Sequence, residues 1–313
     1  VLAVGGWTQN RLAVLIHESS HYLLFKNRVL NDVAGNLLVA FPLFAALGNY
    51  REGHWTHHRH VNDPDHDPDL RRLLRHHPRE FPIGKWRFFW EYVVLQALPH
   101  NAINYLKGRA AYVARPVSDH GSLKNAEVLS RPIFRTLRIG YIVSLLAVLT
   151  WFGWWPHYLL LWVVPMISVY PATLFLREIA HHGNYPDNGD FTNSRVYLGK
   201  WLERQVFFPF NEQNHVLHHM FPTIPWHKSL AAHDVMMQYR PYRENVIICD
   251  GFFVKGSRDN DYPTVLDVLA RPSHEYLRGR NHGEQVPNGI RVLAVEEVGS
   301  TDGVAEAWRG GES

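Results

Sequence analysis

Nine of the 21 histidines fall into four short groups, and their spacing is the feature of this sequence best suited to chemistry. His17 and His21 form HESSH; His54, His57 and His58 form HWTHH; His182 ends REIAHH; His215, His218 and His219 form HVLHH. On a helix, positions i, i+3 and i+4 share one face, so each group aims its imidazoles at one point. Imidazole suits iron, zinc and copper alike, so the ligand type does not choose the metal. Nine ligands exceed what one ion holds, whereas two ions taking four or five each would use them all. A lone HxxxH pair arises readily by chance. Two HxxHH groups about 160 residues apart do not. HESSH alone also matches the zinc-protease pattern, in which Glu18 would be the general base, but that reading leaves both HxxHH groups unexplained. A metal or haem carrier would string its histidines along a membrane path, and the apolar segments here hold almost none.

The elements that must position these groups are membrane segments. From Ile139 to Leu176 no Asp, Glu, Lys or Arg occurs. As one helix this stretch would run about 57 Å, against a hydrocarbon core of about 30 Å. Gly153 and Pro156 break it, which predicts two spans, about 137–155 and 158–177, joined by a turn rich in Trp. Arg135, Arg138 and Arg177 flank the other ends, and by the positive-inside rule that side is cytoplasmic. A buried hairpin in a soluble protein is the weaker alternative. Val33–Tyr50 is also uncharged but interrupted by Gly35, Pro42 and Gly48. If it dips in and returns, all four histidine groups lie on one face; if it crosses once, HESSH and HWTHH are separated. A shared metal site therefore requires a re-entrant or interfacial element. Residues 86–106 look amphipathic and suited to the membrane interface. The chain opens at Val1 on a mostly apolar segment, and the expectation is that an N-terminal piece precedes it.

The 32 Lys and Arg nearly balance 29 Asp and Glu, a formal charge of +3, which excludes a dedicated nucleic-acid binder. Charged residues are 19% of the chain, below the roughly 25% of soluble domains. One cysteine, Cys249, excludes an internal disulfide and a self-contained iron–sulfur cluster. The expected organisation is a membrane domain over residues 1–235 and a soluble C-terminal tail over 236–313, disordered after about 283.

The order HESSH, YREGHWTHHRHVNDPDHDPD, LREIAHHG and NEQNHVLHHMFPTIPW resembles the membrane-bound fatty acid desaturase family from about residue 7 to 235. The resemblance implies an all-α fold, with integral membrane helical hairpins and a cytosolic helical cap. It implies two irons held by His17, His21, His54, His57, His58, His182, His215, His218 and His219. Many members carry Glu-His where this chain has His181-His182, so His181 is expected to support the site or to be an alternative ligand. Glu178 would contribute directly or through water. Imidazole ligands usually donate their second N–H to a carboxylate or carbonyl, and Glu18, Asp63, Asp65, Asp67, Glu178 and Glu212 are placed for this. The implied activity uses O2 and two external electrons to desaturate a fatty acyl chain, with hydroxylation as the alternative outcome. The electrons need a separate donor of ferredoxin or cytochrome type and its reductase, since no haem-domain, iron–sulfur or flavin motif is present. Arg51 and Arg59 are expected to meet an acyl-carrier phosphate or lipid headgroups.

Overall fold

The computed structural model describes residues 1–71, 81–97, 131–185, 189–257 and 259–272. Helix α1 (Leu2–Ser20) ends in the HESSH group. The chain then turns into α2 (Arg28–Ala34), whose first turn is capped by the Asn27 side chain accepting from Leu30 N–H. A π-helical turn, Gly35–Ala40, and a 3₁₀ turn, Phe41–Leu43, carry it on. Phe44, with φ of 54°, stops this run and lets the chain bend by 90° into α3 (Leu47–Arg59). Asn36 stitches the bend by accepting the N–H of Leu47. His21 before this bent pair and His54 within its second helix stand 4.9 Å apart by ring centroids. The 90° bend makes the pair either a broken span or a re-entrant loop, and the approach of His54 to His21 supports the re-entrant form.

The hairpin follows the sequence expectation. Short helix α4 (Lys85–Phe88), extended by turns to Ala97, precedes α5 (Arg131–Trp151). Ile133–Trp151 and Trp155–His182 are long and apolar enough to cross a membrane. Gly153, at φ 65°, makes the turn between them. The second span bends at Ser168 before its last helix, α6 (Val169–His182). Pro171 explains that break: its ring clashes with the carbonyl four residues earlier and offers it no N–H. The expected 86–106 and tail regions are seen only in part, because residues 98–106 and everything beyond 272 lie outside the described residues.

Helix α1 meets the second span closely because it carries glycine there. A Cβ on Gly6 would stand 2.5 Å from Val169 Cβ, and small residues let membrane helices approach this way. The Gln9 amide adds to it: its Nε2 donates to Trp162 O at 2.7 Å. Ala13, Ile16, Val39, Leu43, Leu47, Met166 and Tyr170 fill the seam among α1, the re-entrant pair and the span. Arg51 is a fastening within this seam. It is buried, donates to Asp32 at 2.6 Å and to the carbonyls of Ser19 and Ser20, and lies over the Tyr22 ring. The expectation that Arg51 meets phosphate is corrected, since its donors face protein acceptors.

After α6 the chain forms β1 (Arg195–Tyr197), α7 (Trp201–Phe207), α8 (His215–Met220), α9 (Ser229–Met236), β2 (Ile247–Cys249) and α10 (Val265–Leu269). The fold is mostly helical; β1 and β2 pair in parallel as the one sheet among the described residues. Among the described residues, those from 247 to 269 pack into the same compact unit as the rest. Ile247, Cys249, Phe252, Val265, Val268 and Leu269 are buried against Phe88, Ile179 and Phe208. These apolar runs are short and lie between Asp, Gly and Pro, which is why they read as tail.

Candidate metal centre

Four elements converge on one place. The end of α1 supplies His17 and His21, α3 supplies His54, His57 and His58, α6 supplies His181 and His182, and α8 supplies His215, His218 and His219. Their ring nitrogens sort into two groups. His17, His21, His54 and His218 form the first, and His57, His182, His215 and His219 the second. His58 joins the first group: its Nε2 lies 2.9 Å from His218 Nε2 and 3.1 Å from His54 Nε2. The His54 and His218 nitrogens are 3.4 Å apart, completing a triangle. In the second group, His57 Nε2 stands 3.3 Å from His219 Nε2. All nine histidines singled out by spacing are thus brought together, five and four. Helices α3 and α8 feed both groups because i and i+4 point to one and i+3 to the other.

The arrangement fits metal ions. Nitrogens held about 2.1 Å from one ion stand about 3.0–3.4 Å from each other, the separation seen here. Three mutually close ring nitrogens cannot all be satisfied by hydrogen bonds to one another. Both nitrogens of His17 and His21, and Nε2 of His182, are buried without a hydrogen-bond partner. Such orphaned polar atoms are costly unless something else binds them. Burial, reinforced by neighbouring histidines, pushes His54, His218 and His219 far below the usual imidazole range. His58 falls to about 2 for the same reason. They therefore stand neutral, as metal ligands must.

Two ligands have their tautomer set from behind. Burial opposes protonation of His57, but the Asp67 carboxylate outweighs it and raises the pKa. His57 Nδ1 donates to Asp67 at 3.0 Å, leaving Nε2 facing the group. His182 Nδ1 donates to the Asn193 carbonyl at 3.2 Å, with the same consequence. Of the carboxylates expected to do this, Asp67 does. Asp63 instead accepts from the N–H groups of Asp65 and His66 and builds an exposed turn. Glu18 accepts from Trp226 N–H at 3.1 Å. Glu178 lies 3.6 Å from Arg177 and belongs to neither group. Glu212 is buried 3.7 Å from Arg177, 3.8 Å from His181 and 4.0 Å from His215. Burial pushes its carboxyl up to about 8, with Arg177 opposing.

His181 stacks on His215 with centroids 3.9 Å apart and rings 6° from parallel. It backs a member of the second group without joining it. Sequence reasoning assigned nothing to Trp226 or Asn193. The Trp226 indole stacks on His17 at 5.2 Å and lies 4.8 Å from His218. Trp226 closes the NEQNHVLHHMFPTIPW motif, so its position was visible, but no periodicity links it to the histidines. Asn193 acts through its backbone carbonyl, which leaves no mark on residue type.

Residues 1–250 match the model of the family described as fatty acid desaturase. Dihydrorhizobitoxine desaturase of Bradyrhizobium elkanii is 27% identical over 278 residues, covering 86% of this chain and 75% of that protein. Delta(5) fatty acid desaturase fat-4 of Caenorhabditis elegans is 26% identical, covering 79% of this chain. A Delta 8-(E)-sphingolipid desaturase of Emericella nidulans is 21% identical, covering 74%. The matched chain spans 58% and 46% of the lengths of these last two relatives.

Proposed function

We propose, because this chain belongs to the fatty acid desaturase family, that it is a membrane oxidoreductase that introduces a double bond into a fatty acyl chain. The observation that carries this reading is the convergence of nine buried or half-buried imidazoles into groups of five and four. Two irons would be held by His17, His21, His54, His58 and His218, and by His57, His182, His215 and His219. When bound, they would supply the oxidation of an unactivated C–H bond with O2 and two external electrons, chemistry that no side chain performs.

The chain's own residues do the rest. Asp67 and the Asn193 carbonyl hold His57 and His182 with Nε2 toward the ions. His181, stacked on His215, and Glu212 behind both support the second group. Trp226 covers the first group and limits water there. An acyl chain would arrive from the bilayer along the apolar spans, so that orientation is set before reaction. The electrons come from a separate donor of ferredoxin or cytochrome type and its reductase, and the ions face the cytoplasm. A zinc protease would need a free Glu18 carboxylate as base, whereas one Glu18 oxygen is occupied by Trp226 N–H.

The test is metal content of the detergent-purified protein, with product analysis of lipids from cells expressing it. Two irons per chain, lost in a His57→Ala/His218→Ala double variant that still inserts in membranes, together with a new alkene, is the expected result. One zinc per chain, unaffected by the double replacement, would overturn the reading. A hydroxylated product in place of an alkene would keep the metals and replace the reaction.

A further inference from the structure

Three exposed aromatic or aliphatic tips lie outside the spans, and each is directly beside a lysine in the chain. Lys85 precedes Trp86, Lys200 precedes Trp201 and Leu202, and Lys255 follows Phe253 and Val254. Trp86 is 78% exposed, Trp201 66% and Val254 67%, values a water-facing surface rarely combines. The helix begun by α4 is two-sided: Phe88 and Tyr92 are buried, while Trp86, Phe89 and Trp90 face outward.

One buried ring ties the three segments together. Phe252 lies 6.4 Å from Phe88 of α4, 5.1 Å from Phe207 of α7 and 4.5 Å from Phe253 by ring centroids. The loop carrying Val254 also runs against the turn before α7, where a Cβ on Gly256 would stand 3.4 Å from Gly199 Cα. The same segments pack against the second span and α1. Tyr92 stacks on Phe175 of the second span at 5.6 Å. Asn10, in the middle of α1, donates to Val206 O of α7 at 2.8 Å.

We propose that these three segments form a collar seated in the headgroup layer of the same membrane, on the histidine side of the spans. Trp86, Phe89, Trp90, Trp201, Leu202, Phe253 and Val254 enter the boundary between headgroups and acyl chains. Lys200 and Lys255 reach anionic lipid phosphates, with Lys85 and Arg87 beside them. Tryptophan favours this depth because one end of the ring is apolar and the other polar. Lysines at the surface of an anionic leaflet are attracted by its negative potential. The charge pattern selects anionic lipid over a protein partner at Lys200 and Lys255, which edge two of the apolar tips; at the third, Lys85 and Arg87 are ion-paired with Asp267 and Glu91.

Cys249 is the one cysteine and is buried, so single engineered cysteines can be spin-labelled cleanly. Labels at Trp90→Cys, Leu202→Cys and Val254→Cys would be read in the full chain reconstituted into phosphatidylcholine vesicles with and without phosphatidylglycerol. Leu146→Cys on a span marks the hydrocarbon and Asp65→Cys marks water. Relative accessibility to oxygen and to a water-soluble paramagnet gives depth. The collar predicts all three between the two markers, moving deeper when phosphatidylglycerol is added. A Lys200→Glu/Lys255→Glu background should abolish that shift. Any of the three labels as water-accessible as Asp65 in both vesicles overturns the collar. A shift that survives both charge reversals overturns the phosphate contact.

Discussion

At the scale of single residues, what separates a ligand from its neighbour is which nitrogen is left over. His182 and His181 are adjacent in sequence, yet His182 hands Nδ1–H to a carbonyl and presents Nε2, whereas His181 lies flat against His215. His182→Ala should therefore lose the second ion, and His181→Ala should keep both ions with weakened affinity. Iron per chain before and after chelator challenge distinguishes them; equal loss in both variants would make His181 a ligand. Asp67→Asn preserves size, keeps only one of the contacts from Asn62 N–H and Asp69 N–H, and weakens acceptance of His57 Nδ1–H. Removing such a partner typically costs about 10–100-fold in metal affinity, measurable by competition with a chelator. The histidines that converge were legible in sequence because helical spacing is a property of position alone. Their partners were less so: Asp67 stood in a run of four similar aspartates, and only the turn made by Asp63 shows which one faces the site.

At the scale of elements, the close seams are where substitution has the clearest sign. A methyl group on Gly6 of α1 meets Val169 at 2.5 Å, while one on Gly53 of α3 meets nothing within 4 Å. Gly6→Ala should destabilise by about 1–3 kcal/mol through overpacking. Gly53→Ala should stabilise by about 0.5–1 kcal/mol, since alanine loses less freedom in a helix. Thermal unfolding in one detergent compares the two, and a stabilising Gly6→Ala would show that α1 is not held against the span. The hairpin and the re-entrant pair were readable from charge-free length and from Gly and Pro placement. Strand β2 and α10 were not, because runs of three and five residues carry no usable period and owe their order to partners far away in the chain.

At the scale of the whole molecule, the question is which side of the membrane holds the histidines. Arg177 was one of three arginines taken to mark the cytoplasmic end of the hairpin, but it is buried, donating to Asn10 and lying near Glu178 and Glu212. A cation neutralised inside the protein contributes little to orientation, so the argument now leans on Arg135, which is exposed, and on Arg138. The lysines of the exposed segments, Lys200 and Lys255, add to the same side, because α7 and the loop after β2 lie with the histidine-bearing end of the second span. At the opposite end, the turn around Gly153 exposes Trp151, Phe152 and Trp154 and holds no charged residue. That asymmetry predicts an orientation that can be read in intact cells with a membrane-impermeant maleimide. Phe152→Cys should react from outside, and Asp65→Cys should react only after permeabilisation, with buried Cys249 silent in both. The reverse pattern would place the histidine groups outside the cytoplasm, beyond reach of a cytoplasmic electron donor, and would remove that partner from the proposed reaction while leaving the metal site intact.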